Sequence, residues 1–271
     1  MRKWMIAAAG ILSMAAPLFG QEKVVIGGSG ALMNELPQLI QTYQSRYPSD
    51  SVEIFKQSMS TTGGIEGTKL GRFTVRLVTR RPEDQERGNL VYRVIARAPV
   101  VVAVGKTVTL NNLTEAQVCD IFSGRTKNWK ELGGADLKIQ VLGRKKDDAN
   151  LEALQKQMPC FAGVKITAEA VLLDRGSEVD RSLANRPGTI GVTDFESALR
   201  GKDGFKTLTI EGVAPATDSM ASARYPYFRE FGVVTVGEPQ GAVKRFLEFM
   251  VGQESQKVLA QSGVVVGKYT K

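Results

Sequence analysis

The sequence predicts an α/β fold divided into two lobes. Three observations predict it: apolar strand-like runs alternate with helix-like stretches, Gly-rich loops sit where strands give way to helices, and two extended segments are long enough to cross between lobes. The chain has 271 residues, 42% of them hydrophobic, enough for one compact unit or two closely joined lobes with a substantial core.

The N-terminus reads as a removable secretory leader. Arg2 and Lys3 precede an apolar core from Trp4 to about Ala16, and small or flexible residues continue to Gly20 before polar Gln21. Such a segment is too short to span a membrane. Cleavage is expected after Gly20, and no cysteine follows to carry a lipid anchor, so a soluble exported protein is expected.

Past the leader, Val24 to Gly28 reads as a strand, Glu35 to Tyr47 as a helix and Ser51 to Gln57 as a strand of alternating character. Thr61-Thr62-Gly63-Gly64 precedes a short helical run, and Phe73 to Thr79 forms the next strand. Pro82 suits the first turn of a helix that carries Glu83, Asp84 and Glu86, where carboxylates complement the helix dipole. Alternation of this kind argues a parallel sheet covered by helices, with ligands at strand-to-helix loops.

From Asn89 to Gly105 runs a long β-rich stretch interrupted by Pro99, a first crossover between lobes. Leu113 to Phe122 follows as a helix with Asn112 or Thr114 at its cap, then Ile139 to Leu142 as a strand and Asp148 to Gln157 as a helix. Thr189 to Val192 is a strand after the Pro187-Gly188 turn, and Phe205 to Ile210 offers a second crossover. Two crossovers imply two lobes with a cleft between them.

The composition excludes several chemistries. No histidine occurs, so Gly27-Gly28-Ser29-Gly30-Ala31, close to a nucleophile elbow, cannot serve a Ser-His-Asp triad. Ser-Lys catalysis finds no S-x-x-K. Zinc needs several Cys or His ligands, and only Cys119 and Cys160 exist. The formal net charge is +8, with Lys and Arg scattered rather than striped with aromatics, which argues a general attraction for anions rather than nucleic-acid binding.

What remains is anion capture at the first loop. Residues 24–32, VVIGGSGAL, form a strand-like run whose glycines can turn sharply and expose N–H groups, and a helix starting near Ala31 would add its positive end. In an oxidising compartment Cys119 and Cys160 are expected to form one disulfide, closing a loop of about 40 residues and contributing roughly 4 kcal/mol on the chain-entropy model. Two separate buried thiols are the alternative. Trp129, Tyr225 and Tyr227 are expected to be packing residues.

VVIGGSGAL, STTGGI, LVTRRPEDQE, LTEAQVCDIFSGRTKNW, IQVLGR, PGTIGV and RYPYFREF occur in the order seen in phosphate-binding-type periplasmic solute-binding proteins. The chain resembles that family over nearly its whole mature length. The resemblance implies a periplasmic-binding fold of the second type, two mixed sheets flanked by helices with a hinge between lobes. The first lobe would span about 21–104 joined by 200–271, and the second about 105–199. It also implies a monomeric receptor that hands a small anion to an ABC permease, without catalysis or cofactor.

Residue by residue, the resemblance places ligand contacts at Ser29, Gly30, Ala31 and Leu32, at Thr61 and Thr62, at Arg80, at Arg144, and at Asp148 and Asn150. Arg144 falls where the family places a cleft arginine, suited to bidentate contact with a tetrahedral oxyanion. Four positions depart from the pattern. Leu32 stands where the family commonly offers a hydroxyl, and Arg80 where it has Asp or Ser. Asp148-Ala149-Asn150 replaces a Ser-Gly-Thr signature. An unpaired Asp148 would repel phosphate, Arg80 could offset it, and the two could instead form an ion pair across the lobes. These replacements leave open an alternative: a sensory or interaction protein that keeps the fold with a degenerate anion site.

Overall fold

A computed structural model of the chain describes residues 23–28, 32, 35–55, 65, 67–79, 81–144, 148–200 and 204–269. Its strands are β1 (Lys23–Gly28), β2 (Ser51–Ile54), β3 (Val75–Val78), β4 (Leu90–Gly105), β5 (Asn112–Leu113) and β6 (Gln140–Arg144). They continue with β7 (Val171–Leu173), β8 (Thr189–Asp194), β9 (Phe205–Thr207), β10 (Thr209–Ile210), β11 (Phe228–Val236) and β12 (Val265–Tyr269). Along the main path they lie in the order β2-β1-β3-β11-β4-β8-β6-β7.

The 16-residue strand β4 belongs to both lobes. From Leu90 to Pro99 it pairs antiparallel with β11, and from Val100 to Val104 antiparallel with β8. Pro99 sits at the handover. Lacking an N–H, proline suits the place where a ladder changes partner.

The sheet is mixed, as the family resemblance implies, and the parallel pairing argued from the alternation of elements covers part of it. Parallel pairing holds within each lobe, β1 with β2 and β3, and β6 with β7 and β8. The long strands β4 and β11, by contrast, run antiparallel to their neighbours. They pass between lobes as extended chain and so lack the crossover helix that a parallel connection requires.

Two large hydrophobic cores form among the described residues, with a third, smaller cluster of Val101, Ala103, Leu142, Val179, Leu183, Ala198 and Phe205. The first core draws on residues from Val24 to Ala98 and from Phe231 to Val264, and the second on residues from Val100 to Tyr227. The two large clusters change over near residues 99 and 228, beside the expected lobe bounds of 104 and 200. Val100 to Val104 pair with β8, β9 pairs with β4 inside the second lobe, and Tyr225 and Tyr227 are buried there. The Tyr225 hydroxyl donates to the Val100 carbonyl at 2.9 Å, which holds the returning chain against β4 before it leaves the lobe.

Local chemistry anchors each lobe. Helix Leu36–Arg46 buries Leu36, Leu39, Ile40 and Tyr43, a single face at helical spacing. Its Tyr43 hydroxyl donates to Asp50 Oδ2 at 2.5 Å, and Arg245 clasps the same carboxylate at 2.7 and 3.0 Å. In the second lobe Cys119 and Cys160 are joined by a disulfide. Buried Trp129 donates from Nε1 to the Gly188 carbonyl at 3.0 Å, tying the RTKNW segment to the PGTIGV turn. Phe195 of the second lobe lies against Gly263 of the first, which has φ +73° and no room for a Cβ.

Candidate functional site

The parallel strands β6 and β8 end at Arg144 and Asp194, and β7 between residues 171 and 173 ends beside them. Ligands of α/β proteins gather at such carboxyl ends. A cavity of about 210 Å³ opens there, lined by Arg144, Asp148 and Asn150 after β6, by Gly176, Ser177 and Asp180 after β7, and by Thr193, Asp194, Ser197 and Arg200 at and after β8.

Three helices begin around this cavity: Ala149–Gln157, Gly176–Asn185 and Phe195–Arg200. The first N–H groups of a helix have no intrahelical partner and form the positive end of its dipole. Two of the three ends are occupied by carboxylates. Asp148 Oδ1 accepts the N–H groups of Asn150 at 3.0 Å and Leu151 at 3.3 Å, and Asp194 Oδ1 accepts that of Ser197 at 2.8 Å. Asp148 is the N-cap of its helix, because Asp ahead of an Ala-Asn-Leu run satisfies the free amides.

The third end differs. Glu178 turns back to accept the N–H groups of Asp174 and Arg175, both at 3.0 Å, whereas the N–H groups of Gly176 and Ser177 meet no acceptor among the described residues. Arg144 lies over this end, its Nη1 3.7 Å from where a Cβ on Gly176 would stand. Its Nε is buried without a partner among the described residues, as is the Oδ1 of Asn150. Arg144 and the two amides make one electropositive pole.

The same cavity also has an acidic lining. Asp180 follows Gly176 by one helical turn, and Thr193 donates its hydroxyl to Asp180 Oδ1 at 2.8 Å. Burial pushes the Asp180 carboxyl above the usual carboxylate range, against the pull of Thr193 and Ser197. At the rim Arg200 pairs with Glu196 and donates to Ser197 Oγ at 3.1 Å. Glu196 is raised chiefly by its own burial and next by Glu35 of the first lobe, so this rim faces the other lobe.

Of the residues expected at the site, Arg144, Asp148 and Asn150 line one cavity. Leu32 has φ 60° and a side chain buried in the first core. Its carbonyl accepts the N–H groups of Glu35 at 3.2 Å and Leu36 at 3.0 Å, so the side chain packs where the family offers a hydroxyl. Ser29, Gly30, Ala31, Thr61, Thr62 and Arg80 lie outside the described residues. Gly176, Ser177, Asp180 and Asp194 escaped the sequence reading. The signal for Asp194 was present, an Asp closing a strand ahead of a helix.

Among the described residues no group of three or more His, Cys, Asp or Glu could hold a metal ion, and no helix is long and apolar enough to cross a membrane.

Comparison with known proteins adds an independent line. The family model described as a PBP superfamily domain matches residues 15–254. The phosphate-binding protein PstS of Bacillus subtilis is 25% identical over 245 residues, covering 88% of this chain and 79% of that protein. Its namesake from Borreliella burgdorferi is 22% identical over 252 residues, 89% of each. Among solved structures, a putative phosphate ABC transporter substrate-binding protein with bound phosphate from Clostridium perfringens superposes with TM-score 0.74 at 23% identity, over 92% of this chain and 100% of that one. An ABC-type phosphate transport receptor from Vibrio cholerae gives TM-score 0.67 at 21% identity, over 89% and 99%.

Proposed function

The chain belongs to the PBP superfamily, and from that premise we propose that it is an extracytoplasmic solute-binding protein that captures a small oxyanion, phosphate first, for an ABC importer. The observation that carries the reading is Arg144, which lines a cavity at the carboxyl ends of three parallel strands and whose Nε is buried without a partner among the described residues. A buried guanidinium donor without a protein partner is costly unless a ligand supplies the acceptor. The relatives called phosphate-binding proteins support an oxyanion as that acceptor.

In this reading Ser29, Gly30, Ala31, Thr61, Thr62 and Arg80 complete the site from the first lobe. The lobes close on the ligand by bending β4 and the chain around 228, and a permease receives it. The protein contributes binding and no catalysis. The leader ending near Gly20 supplies the route out of the cytoplasm, and the intact mass of protein recovered from its host checks for a start near Gln21.

A thermal-shift screen of the mature protein against phosphate, sulfate, molybdate and small organic acids tests the proposal. A ligand at a hundred times its dissociation constant adds about 2.7 kcal/mol of apparent stability. No shift with any of them refutes oxyanion capture. A second reading, a sensory or interaction protein with a degenerate anion site, is favoured by one observation: carboxylates already occupy two of the three helix ends at the cavity.

A further inference from the structure

Phe228, the first residue of β11, is held from two sides. Tyr227 turns its carbonyl towards β4, where it accepts the Val100 N–H at 3.0 Å. Successive residues of a strand aim their N–H and C=O groups at opposite edges. Those of Phe228 therefore point away from β4 and from its register partner Pro99, which has no N–H to offer. Among the described residues no strand pairs with Phe228 on that outer edge. One side chain takes the place of a strand: Gln157 Oε1 accepts the Phe228 N–H, and Gln157 Nε2 donates to the Phe228 carbonyl, both at 2.7 Å. The Phe228 ring, by contrast, lies 4.2 Å from the guanidinium of Arg97, which pairs with Glu230 at 2.9 Å.

Gln157 is a fixed base for this grip. It ends helix Ala149–Gln157 between Leu154 and Met158, both buried in the second core, and Cys160 just beyond is tied to Cys119 by the disulfide. Upstream of Phe228, the hydroxyls of Tyr225 and Tyr227 donate to the Val100 carbonyl and to Glu115. Downstream, Phe231 already belongs to the first core, and the ladder with β4 shifts register between Phe231 and Gly232. We infer that Gln157 is a positioning residue that sets the pivot between the lobes: it keeps the returning chain with the second core as far as Phe228 and confines bending to residues 229–231, beside Pro99 on β4. A neighbouring strand would grip several residues and stiffen the crossing. A single side chain fixes one residue and leaves the next free to turn. The same helix begins at the cavity, where Asp148 and Asn150 join the lining, so cavity and pivot share one element about 13 Å long.

The inference rests on the two-lobed reading above, and ligand-free measurements keep it separate from ligand capture. With both cysteines in the disulfide, Gln44→Cys in the first lobe and Ala135→Cys in the second, both exposed, take spin labels for interlobe distances by double electron–electron resonance. In this background Gln157→Ala, which loses both bonds, should widen the ligand-free distance distribution. It should also speed exchange of the Phe228 amide on the order of tenfold, with the amides of β1 and β6 unchanged. Gln157→Glu keeps the shape and the bond to the N–H but loses the donor, and should fall between wild type and Gln157→Ala. A distribution of wild-type width in Gln157→Ala overturns the inference, as does widening accompanied by faster exchange throughout β1 and β6, which marks general loosening. If Gln157→Ala does not fold, wild-type width in Gln157→Glu overturns it instead. Inorganic phosphate added to the wild type tests capture separately: distances that do not move remove phosphate-driven closure, while the ligand-free comparison still decides the role of Gln157.

Discussion

Arg229 Nη2 stands 3.8 Å from Asp194 Oδ2, a loose ion pair between the strand that returns to the first lobe and the end of β8 in the second. The same Asp194 caps helix Phe195–Arg200 through its other oxygen and lines the cavity. One carboxylate thus joins the cavity, a helix end and the crossing between lobes. At 3.8 Å the pair is too long for a hydrogen bond, so its energy is chiefly Coulombic, whereas the cap is a direct bond.

Asp194→Asn keeps an oxygen for the cap and loses the charge, while Asp194→Ala loses both. The Ala variant should be destabilised by about 1–3 kcal/mol, the cost of removing a cap and a buried partner together. The Asn variant should lose less than half of that. Urea unfolding of the two variants measures the difference, and equal losses would show that the ion pair dominates.

Asp148 separates stability from ligand charge. Asp148→Ala should cost about 0.5–2 kcal/mol by leaving the amides of Asn150 and Leu151 without their cap. Asp148→Ser, which can still cap, should stay near wild-type stability and bind inorganic phosphate at least as well, since it removes a negative charge from the cavity. Thermal melts and calorimetry read the two effects on the same samples. Weaker phosphate binding by Asp148→Ser would contradict the electrostatic argument.

Arg144→Ala should lower oxyanion affinity by about 2–5 kcal/mol, the range for truncating a buried hydrogen-bonded charge. Its effect on folding should be small, because the Arg144 Nε has no protein partner among the described residues to lose. Unchanged titration curves would remove Arg144 from the site.

The first core carries an acid-sensitive anchor. The Arg245 guanidinium and the Tyr43 hydroxyl hold the Asp50 carboxyl below its ordinary range despite burial. A depressed carboxylate contributes stability that is present above its unfolded value, near 3.9, and is lost as pH falls through the lower folded value. Urea midpoints should therefore drop below about pH 4. Asp50→Asn should cost about 1–3 kcal/mol at neutral pH and show a shallower acid decline. An unaltered decline in that variant would assign acid sensitivity to other groups.

The Cys119–Cys160 bridge predicts almost no free thiol when the unreduced protein is unfolded and titrated. Reduction should lower stability by roughly 4 kcal/mol on the chain-entropy account. Two free thiols per chain would refute the bridge.

Much of the fold was legible in local pattern. The strands that begin at Lys23, Leu90 and Thr189, the helix Leu36–Arg46 with its apolar face, and the Thr114 and Asp148 caps follow from periodicity and capping chemistry. These depend on residues within a few positions of each other. Absence of histidine and the pairing of the two cysteines were likewise matters of composition.

What only the tertiary structure decided is long-range. That β4 pairs with β11 along one half and with β8 along the other depends on strand pairing between segments about a hundred residues apart or more. The meaning of each acidic residue was also hidden: Asp148 and Asp194 close helix ends, while Asp180 is half-buried and accepts the Thr193 hydroxyl. Charge alone is visible in a sequence, but a carboxylate's role depends on which donors the fold brings within hydrogen-bonding distance.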